Sequence, residues 1–184
     1  MKGKTAFKPL REKDLPLIHR WLNTPHVSEW WSLDGNHHPS MEEVVRHFSP
    51  RIKRKEPVDV FIIIYDDKPI GSIQSCMLDD YPEEKALFGL DDRCAGIDIF
   101  IGEEDYVHKG LGGSIIREFL KQVVFSKYGA DSCMIDPQTE NKIAIKAYEK
   151  VGFRYLRTVW YDKDKMQENI YIITRDEFFK EPVK

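Results

Sequence analysis

Apolar residues in the first fifty positions follow strand spacing and then helix spacing. Residues 5–10 can form an edge strand, and the apolar positions in residues 15–22 recur every three or four residues, as on one face of a helix. That helix is expected to stop near Asn23, Thr24 and Pro25. Ser40 and Glu43 have the spacing of a capping box, which predicts a second helix that Pro50 closes.

Two runs rich in β-branched and aromatic residues come next and predict a hairpin. Residues 58–65 and 69–78 are joined by Asp66, Asp67 and Lys68, a short connection of turn type. Strands connected so closely pair in antiparallel fashion. The segment that follows, residues 79–93, is polar and acidic and is expected to be a loop.

The second half of the chain alternates strand and helix patterns. The expected elements are a strand at residues 95–101, a helix from about 113 to 127, a short buried strand at 132–136, a helix at 141–151, and strands at 153–161 and 168–174. Gly152 fits a left-handed cap at the end of the second of these helices. This alternation is typical of an α/β fold with a mixed sheet, and a length of 184 residues favours a single domain over residues 1–184.

Composition and charge exclude several classes of protein. The net charge is −3, and residues 51–55, the one basic run, are interpreted as the solvated end of a helix, so a general nucleic-acid binder is not expected. Cys76, Cys94 and Cys133 are widely spaced and odd in number, which favours a reduced, cytoplasmic protein. The chain has no apolar run of signal-peptide or membrane-spanning length.

A glycine-rich loop between a strand and a helix carries the most specific chemistry. Residues 107–114 read Val-His-Lys-Gly-Leu-Gly-Gly-Ser, and glycines let a backbone approach a ligand closely while a helix N-terminus offers N–H groups to an anion. The spacing matches neither a P-loop nor a dinucleotide fingerprint. The loop is suited to holding a pyrophosphate.

A second element downstream makes the loop more informative. Asn141, Ala144, Tyr148, Gly152 and Phe153 follow it, and the pair of elements resembles the GNAT superfamily of acetyl-CoA-dependent N-acetyltransferases. The resemblance implies a single GNAT-like domain, with a mixed, mostly antiparallel central sheet flanked by helices. Val107 stands where the family's loop has Gln or Arg. The cofactor-binding residues that the resemblance implies for acetyl-CoA are Ile99, Phe100, Ile101, Val107, His108, Lys109, Gly110, Leu111, Gly112, Gly113, Ser114, Asn141, Ala144 and Tyr148.

A closer resemblance covers nearly the whole chain. The segments 21–23, 29–31, 68–71, 96–98, 109–112, 135–137 and 144–153 are similar to those of aminoglycoside 6'-N-acetyltransferases. This resemblance implies transfer of acetyl to the 6'-amine of an aminoglycoside, a small cationic acceptor, and hence a role in antibiotic resistance. Ile99 follows the aspartate where the family commonly has Gln.

The chemistry of amide formation points to two catalytic candidates. An amine is mostly protonated near neutral pH and must lose a proton before it attacks a thioester, so the site needs a base or a holder of the ammonium group, and Asp98 is the candidate. The leaving thiolate needs a proton, and Tyr148, a phenol, is the candidate acid.

A cationic acceptor should be held by carboxylates and by a flat apolar surface. The carboxylate candidates are Asp98, Asp136, Glu83, Glu84, Asp79 and Asp80. Trp30 and Trp31 lie on a loop between helices, where one can face the core while the other offers a platform for a sugar ring. The six histidines include His37 and His38 but show no metal-ligand spacing, so no metal site is expected.

Three other functions remain open at this point. A GNAT enzyme of the same fold can acylate a siderophore precursor or a protein N-terminus, and one fold hosts many acceptors. A CoA-binding module without catalysis is the third, although such a module has no need of Asp98 and Tyr148 as base and acid.

Overall fold

A computed structural model describes residues 3–161 and 166–180 of the chain. The seven strands are β1 Thr5–Pro9, β2 Val58–Tyr65, β3 Lys68–Met77, β4 Cys94–Ile101, β5 Ser132–Ile135, β6 Arg154–Tyr161 and β7 Met166–Thr174. The helices are α1 Leu15–Leu22, α2 Pro25–Ser28, α3 Met41–Ile52, α4 Pro82–Phe88, α5 Leu111–Phe119, α6 Lys142–Val151 and α7 Arg175–Phe179. The strand order in the sheet is β1-β2-β3-β4-β5-β7-β6. The expected α/β class with a mixed, mostly antiparallel sheet is confirmed.

The chain divides into two compact units. The first contains Met1–Ser75 and Asp98–Leu111, and the second contains Cys76–Ile97 and Gly112–Lys184. The boundary runs within β3 and β4, so each of these strands contributes residues to both units.

In the first unit, apolar residues of α1, α2 and α3 share one buried cluster with residues of β2. β1 is an edge strand that pairs antiparallel with β2, from Thr5 opposite Tyr65 to Pro9 opposite Phe61. The β2–β3 hairpin turns through Asp66 and Asp67, whose φ angles of +47° and +63° are those that a two-residue hairpin turn favours. The buried cluster comprises Leu10, Leu15, Ile18, Trp21, Leu22, Val27, Leu33, Val44, Phe48, Val60, Ile62, Ile64 and Phe100.

In the second unit, β5 pairs with one neighbouring strand in parallel and with the other in antiparallel fashion. β4 lies parallel to β5, with Cys94 opposite Ser132, whereas β5 and β6 both pair antiparallel with β7. A parallel pair needs a long crossover connection, and the segment containing α5 supplies it. One buried cluster of this unit comprises Leu78, Phe88, Leu90, Cys94, Met134, Val159 and Ile170.

The predicted start of α3 is confirmed, but its predicted end is wrong. Ser40 Oγ accepts from the Glu43 N–H at 3.3 Å and the Glu43 carboxylate accepts from the Ser40 N–H at 2.7 Å, which completes the capping box. The helix continues past Pro50 to Ile52. Proline removes only its own donor, and later residues still find acceptors: the Lys53 N–H donates to the Ser49 carbonyl at 3.0 Å.

The expectation of a loop over residues 79–93 is also wrong, because α4 forms within it. Pro82 occupies its first turn, where a missing N–H costs nothing, and Gly89 ends it with a left-handed φ of +67°. Phe88 is buried in the cluster of the second unit and anchors the helix. These proline and glycine signals were present in the sequence, but the acidic composition obscured them.

Two further helical segments depart from the predictions. The helix expected at 113–127 begins at Leu111, and after Phe119 it becomes a π-helix over Leu120–Phe125. The wider π turn accompanies burial of three consecutive residues, Val123, Val124 and Phe125, which α-helical spacing would not place on one face. The short helix α7, capped by Thr174, was not predicted.

Candidate active site

Asp98 lies on β4 in the first unit, half-buried and held by a side-chain amide. Gln74 Nε2, on β3, donates a hydrogen bond to Asp98 Oδ2 at 2.8 Å. Burial raises the pKa of the Asp98 carboxyl, while the Gln74 bond and the positive charge of Arg51 oppose that rise. The carboxyl is therefore a better proton acceptor than an exposed aspartate and is still stabilised as an anion.

Arg51 lies behind Gln74 and contacts four side chains of the same unit. Its Nη1 donates to Gln74 Oε1 at 3.2 Å, and its Nε donates to Glu56 Oε2 at 3.1 Å. Nη1 also contacts His47 Nε2, one helical turn earlier on α3, and the guanidinium lies 5.8 Å from the Phe48 ring centroid. These contacts hold the guanidinium through its Nε and Nη1 groups.

Sequence reasoning missed this part of the site. The run at residues 51–55 was interpreted as solvated, but the Arg51 side chain is only 15% exposed, so that interpretation is wrong for Arg51. The available signal was the i, i+4 spacing of His47 and Arg51, which places the two side chains on one side of α3. Gln74 had no distinguishing signal in the sequence.

Trp30 and Trp31 follow α2 and have different surroundings. Trp31 packs against the buried cluster of the first unit, and its ring meets the Phe100 ring edge to face, with centroids 5.0 Å apart. Trp30 is half-buried in the turn after α2, where its backbone N–H donates to the Val27 carbonyl at 3.0 Å. Trp31 therefore supports β4 from the core.

The residues of β4 after Asp98 are fixed by close backbone packing. The Cβ of an alanine at Gly71 would lie 2.2 Å from the Phe100 carbonyl oxygen, so only glycine allows β3 to approach so closely. The Ile101 carbonyl is contacted by His26 Nε2 at 3.0 Å. Ile99 is half-buried between Asp98 and Phe100.

The glycine-rich loop turns through two residues of positive φ. His108 has a φ of +60° and Gly110 a φ of +71°, whereas Val107 before them is extended. The space where a side chain at Gly110 would project is open to a distance of 4 Å. Lys109 Nζ lies 5.9 Å from the ring centroid of Tyr106. The loop backbone is thus accessible, as an anion cradle requires.

The loop leads directly into α5. Leu111 is the first helical residue and Ser114 lies in the first turn. The first N–H groups of an α-helix, here including those of Gly112 and Gly113, are not used by its own ladder. The space around a Cβ at Gly112 is open, and one at Gly113 would contact Val151 at 3.5 Å. A helix start of this kind favours an anion.

The second unit contains the other cofactor and acid candidates. Asn141 caps α6, its Oδ1 accepting from the Ala144 N–H at 3.1 Å. Tyr148 lies on the buried side of the same helix, 9% exposed, with its ring centroid 6.3 Å from that of Phe153. Asp136 follows β5 and is half-buried.

The acidic acceptor candidates lie on and before α4. Asp80, Glu83 and Glu84 are exposed. Asp79 Oδ1 forms an ion pair with Lys85 Nζ at 2.6 Å, and this bond raises the pKa of Lys85. Asp79 is thereby partly neutralised.

The candidates divide between the two units. The first unit contains Asp98, Ile99, Phe100, Ile101, Trp30, Trp31 and residues 107–111. The second contains Gly112, Gly113, Ser114, Asp79, Asp80, Glu83, Glu84, Asp136, Asn141, Ala144 and Tyr148. In the described part of the chain, no group of three or more His, Cys, Asp or Glu residues is arranged to hold a metal ion. Across residues 3–161 and 166–180, no helix has the length and apolar character to cross a bilayer.

Comparison with known proteins gives consistent matches. Residues 11–160 match the model of the acetyltransferase (GNAT) domain. The aminoglycoside N(6')-acetyltransferase type 1 of Klebsiella pneumoniae is 30% identical over 158 residues, which cover 84% of this chain and 76% of that protein. The N(6)-hydroxylysine O-acetyltransferase of Escherichia coli is 21% identical over 91% of this chain and 51% of its own length.

A solved structure agrees with the sequence matches. The structure of AAC(6')-Ib in complex with ribostamycin and coenzyme A has a TM-score of 0.85 to this chain at 26% identity, covering 98% of this chain and 99% of that one. The resemblance inferred from the loop and the Asn141–Tyr148 helix is thereby confirmed, and this protein belongs to the GNAT family of acetyltransferases.

Proposed function

We propose that this protein transfers the acetyl group of acetyl-CoA to the 6'-amine of an aminoglycoside. Its family fixes the reaction class, and the relative from Klebsiella pneumoniae, named as an aminoglycoside N(6')-acetyltransferase, supports the acceptor. The observation that carries the proposal is the half-buried Asp98 carboxylate, which Gln74 holds as a hydrogen-bond acceptor. A carboxylate so placed suits a cationic amine.

Asp98 would bind the acceptor ammonium group and take its proton. Because burial raises the pKa of Asp98, the carboxyl accepts a proton nearer neutral pH than an ordinary aspartate does. The Gln74 donor acts in the other direction and keeps the anion available. The protonated amine and the carboxylate thus exchange one proton, and the neutral amine becomes a nucleophile.

The loop and the start of α5 fit the cofactor's pyrophosphate. Open space at Gly110 and Gly112 lets phosphate oxygens reach the backbone, and residues 107–114 would hold them. Bound acetyl-CoA supplies an activated acyl carbon and a thiolate leaving group. The backbone of Ile99, Phe100 and Ile101 would position the acyl end. Asn141 and Ala144 would place the start of α6, and Tyr148 Oη would serve as the proton donor.

The remaining candidates would recognise the acceptor. Its other ammonium groups and sugar rings would meet Asp136, Asp79, Asp80, Glu83, Glu84, Trp30 and Trp31. Asp79 has a weaker claim than the others because Lys85 already pairs with it. Trp31 would act indirectly, since its ring packs on Phe100.

We also propose a cytoplasmic location and one acetyltransferase domain over residues 1–184. The odd number and wide spacing of the three cysteines favour a reducing compartment, and nucleic acid is not a partner in this proposal.

The test measures CoA release from acetyl-CoA with kanamycin, tobramycin, a hydroxylamine siderophore precursor and a basic peptide. We expect turnover with the two aminoglycosides and a loss of about 10²- to 10⁴-fold in kcat for Asp98→Asn. Asp176→Asn, which changes an exposed aspartate on α7, is the matched control and should retain activity. Turnover with only the siderophore precursor or the peptide would show that the protein is an acetyltransferase but that its acceptor is not an aminoglycoside. No turnover with any acceptor would favour a binding module.

A further inference from the structure

The side chains behind Asp98 form an ordered chain of hydrogen bonds. Asp98 Oδ2 accepts from Gln74 Nε2 at 2.8 Å, and Gln74 Oε1 accepts from Arg51 Nη1 at 3.2 Å. Arg51 is further bonded to Glu56 and contacts His47. All five residues belong to the first unit, so the chain of contacts lies within one compact body.

The chemistry of arginine determines which way the Gln74 amide points. A guanidinium has five N–H donors and no acceptor, and it stays protonated in proteins. The NH₂ group of Gln74 therefore cannot face Arg51, whereas its carbonyl oxygen can. With the carbonyl bound to Arg51, the NH₂ group must face Asp98, and this favours the ionised form of the carboxyl.

Without Arg51, the amide orientation in this chain of contacts would depend on Asp98 alone: an ionised carboxylate accepts from the NH₂ group, whereas a protonated carboxyl can donate to the carbonyl oxygen. A flipped Gln74 would present its carbonyl to Asp98 and favour a protonated carboxyl, which cannot take a proton from an amine. The guanidinium is well suited to enforce one orientation, because Glu56 holds its Nε edge and the side chain is only 15% exposed. In an exposed arginine, water would compete for the guanidinium N–H groups and weaken its effect on the Gln74 amide.

We infer that Arg51 is a positioning residue of the active site, which orients the Gln74 amide so that Gln74 holds Asp98 as an ionised acceptor. His47 assists by accepting from Arg51 at Nε2, which requires a neutral imidazole with its proton on Nδ1. This inference rests on the proposed role of Asp98 and adds the residues that keep the Asp98 carboxyl ionised.

Several groups of the first unit act on these contacts. The positive charge of Arg51 on α3 acts on Asp98 electrostatically, and Gln74 on β3 bonds to Asp98 directly. His47 is influenced by Arg51, Asp34, Glu56 and Arg46. Removal of Arg51 deletes a nearby positive charge and frees the Gln74 amide, and both changes raise the pKa of Asp98.

The first experiment titrates Asp98 directly in the substrate-free enzyme. Carbon-13 NMR of the aspartate carboxyls compares the wild type with Arg51→Met, Arg51→Lys and the control Lys55→Met, which removes a charge from an exposed position in the same basic run. We expect the Asp98 titration to move up by about one pH unit in Arg51→Met, by less in Arg51→Lys, and not in Lys55→Met. An unmoved midpoint in folded Arg51→Met would overturn the inference.

The second experiment asks whether Arg51 acts through Gln74. In a double-mutant cycle, Arg51→Met should shift the acidic limb of the kcat–pH profile upward by about one pH unit in the wild type and much less in a Gln74→Met background. The loss of kcat should be larger on the acidic limb than at the pH plateau, whereas a general packing defect would lower kcat by a similar factor at every pH. Equal shifts in the two backgrounds would refute action through Gln74.

The two measurements separate this inference from the proposed function. If aminoglycosides are not acetylated but another acceptor is, the cycle is run with that acceptor. If nothing is acetylated, the proposed function fails, and the NMR titration still decides the role of Arg51.

Discussion

His47 gives the structure a specific pH dependence of stability. The imidazole is half-buried on α3, and its Nε2 faces Arg51 Nη1. Burial, followed by the positive charge of Arg51, lowers the pKa of His47 from the ordinary 6.5 to about 4. A protonated imidazole would have no acceptor for Arg51 and would bring two cations together.

The sign follows from the protons bound in each state. Well above pH 6.5 His47 is neutral in both the folded and the unfolded chain, so its contribution to stability is complete. As the pH falls from 6.5 towards 4, His47 becomes protonated in the unfolded chain but stays neutral in the folded chain. The free energy of unfolding therefore decreases over this range. Without screening, the difference corresponds to about 3 kcal/mol, since one pH unit is about 1.4 kcal/mol. Solvent around the half-buried ring reduces this to about 1–2 kcal/mol.

The assay is urea denaturation of the wild type and His47→Gln at several pH values between 7.5 and 4.5. Glutamine can still accept from Arg51 through its carbonyl oxygen, but it does not titrate. We expect the free energy of unfolding of the wild type to fall by about 1–2 kcal/mol more than that of the variant over this range. Groups common to both proteins cancel in the comparison. Parallel stability curves would show that His47 is not held neutral by its surroundings.

Two further predictions concern backbone positions near the candidate residues. Gly71→Ala should cost about 3 kcal/mol or more in thermal or urea denaturation, because the new Cβ would lie 2.2 Å from the Phe100 carbonyl oxygen, which belongs to backbone. Gly96→Ala, where the nearest atom would be 3.5 Å away, should stay within about 1 kcal/mol, and equal losses would contradict the reasoning. Asn141→Ala should cost about 1 kcal/mol by removing the cap of α6. Asn141→Asp keeps an acceptor and should lose less, so identical losses would argue against the capping role.

Sequence patterns predicted those elements whose signals are local. The apolar spacing of residues 15–22 predicted α1 at its observed bounds, Leu15–Leu22, and Ser40 with Glu43 predicted the start of α3. Gly152 ends α6 with a φ of +115°, as its position indicated. In each case the information lies within a few neighbouring residues. The end of α3 was harder, because the packing of residues beyond Pro50 decides whether a helix continues.

The site was predictable only in part. Asp98 and the glycine-rich loop belong to continuous motifs, and the sequence is sufficient to find them. The contacts of Arg51 and Gln74 depend on how α3 lies on β3 and on the register of β3 with β4. The two pairs, Arg51–Gln74 and Gln74–Asp98, are separated by 23 and 24 positions in the sequence, and no local pattern specifies such contacts. This separation along the sequence also explains why Arg51, which lies in a basic run, was interpreted as a surface residue.

The arrangement around Asp98 reconciles two requirements of the proposed reaction. A base must be basic enough to take a proton from an ammonium group, and it must also be ionised when the acceptor arrives. Burial serves the first requirement, and the donor of Gln74 serves the second. Arg51 reinforces Gln74 but places a positive charge close to a site for cations. Because the Glu56 carboxylate lies 3.1 Å from Arg51 Nε, it offsets part of that positive charge, and this makes the surroundings of Asp98 more favourable to a cationic amine.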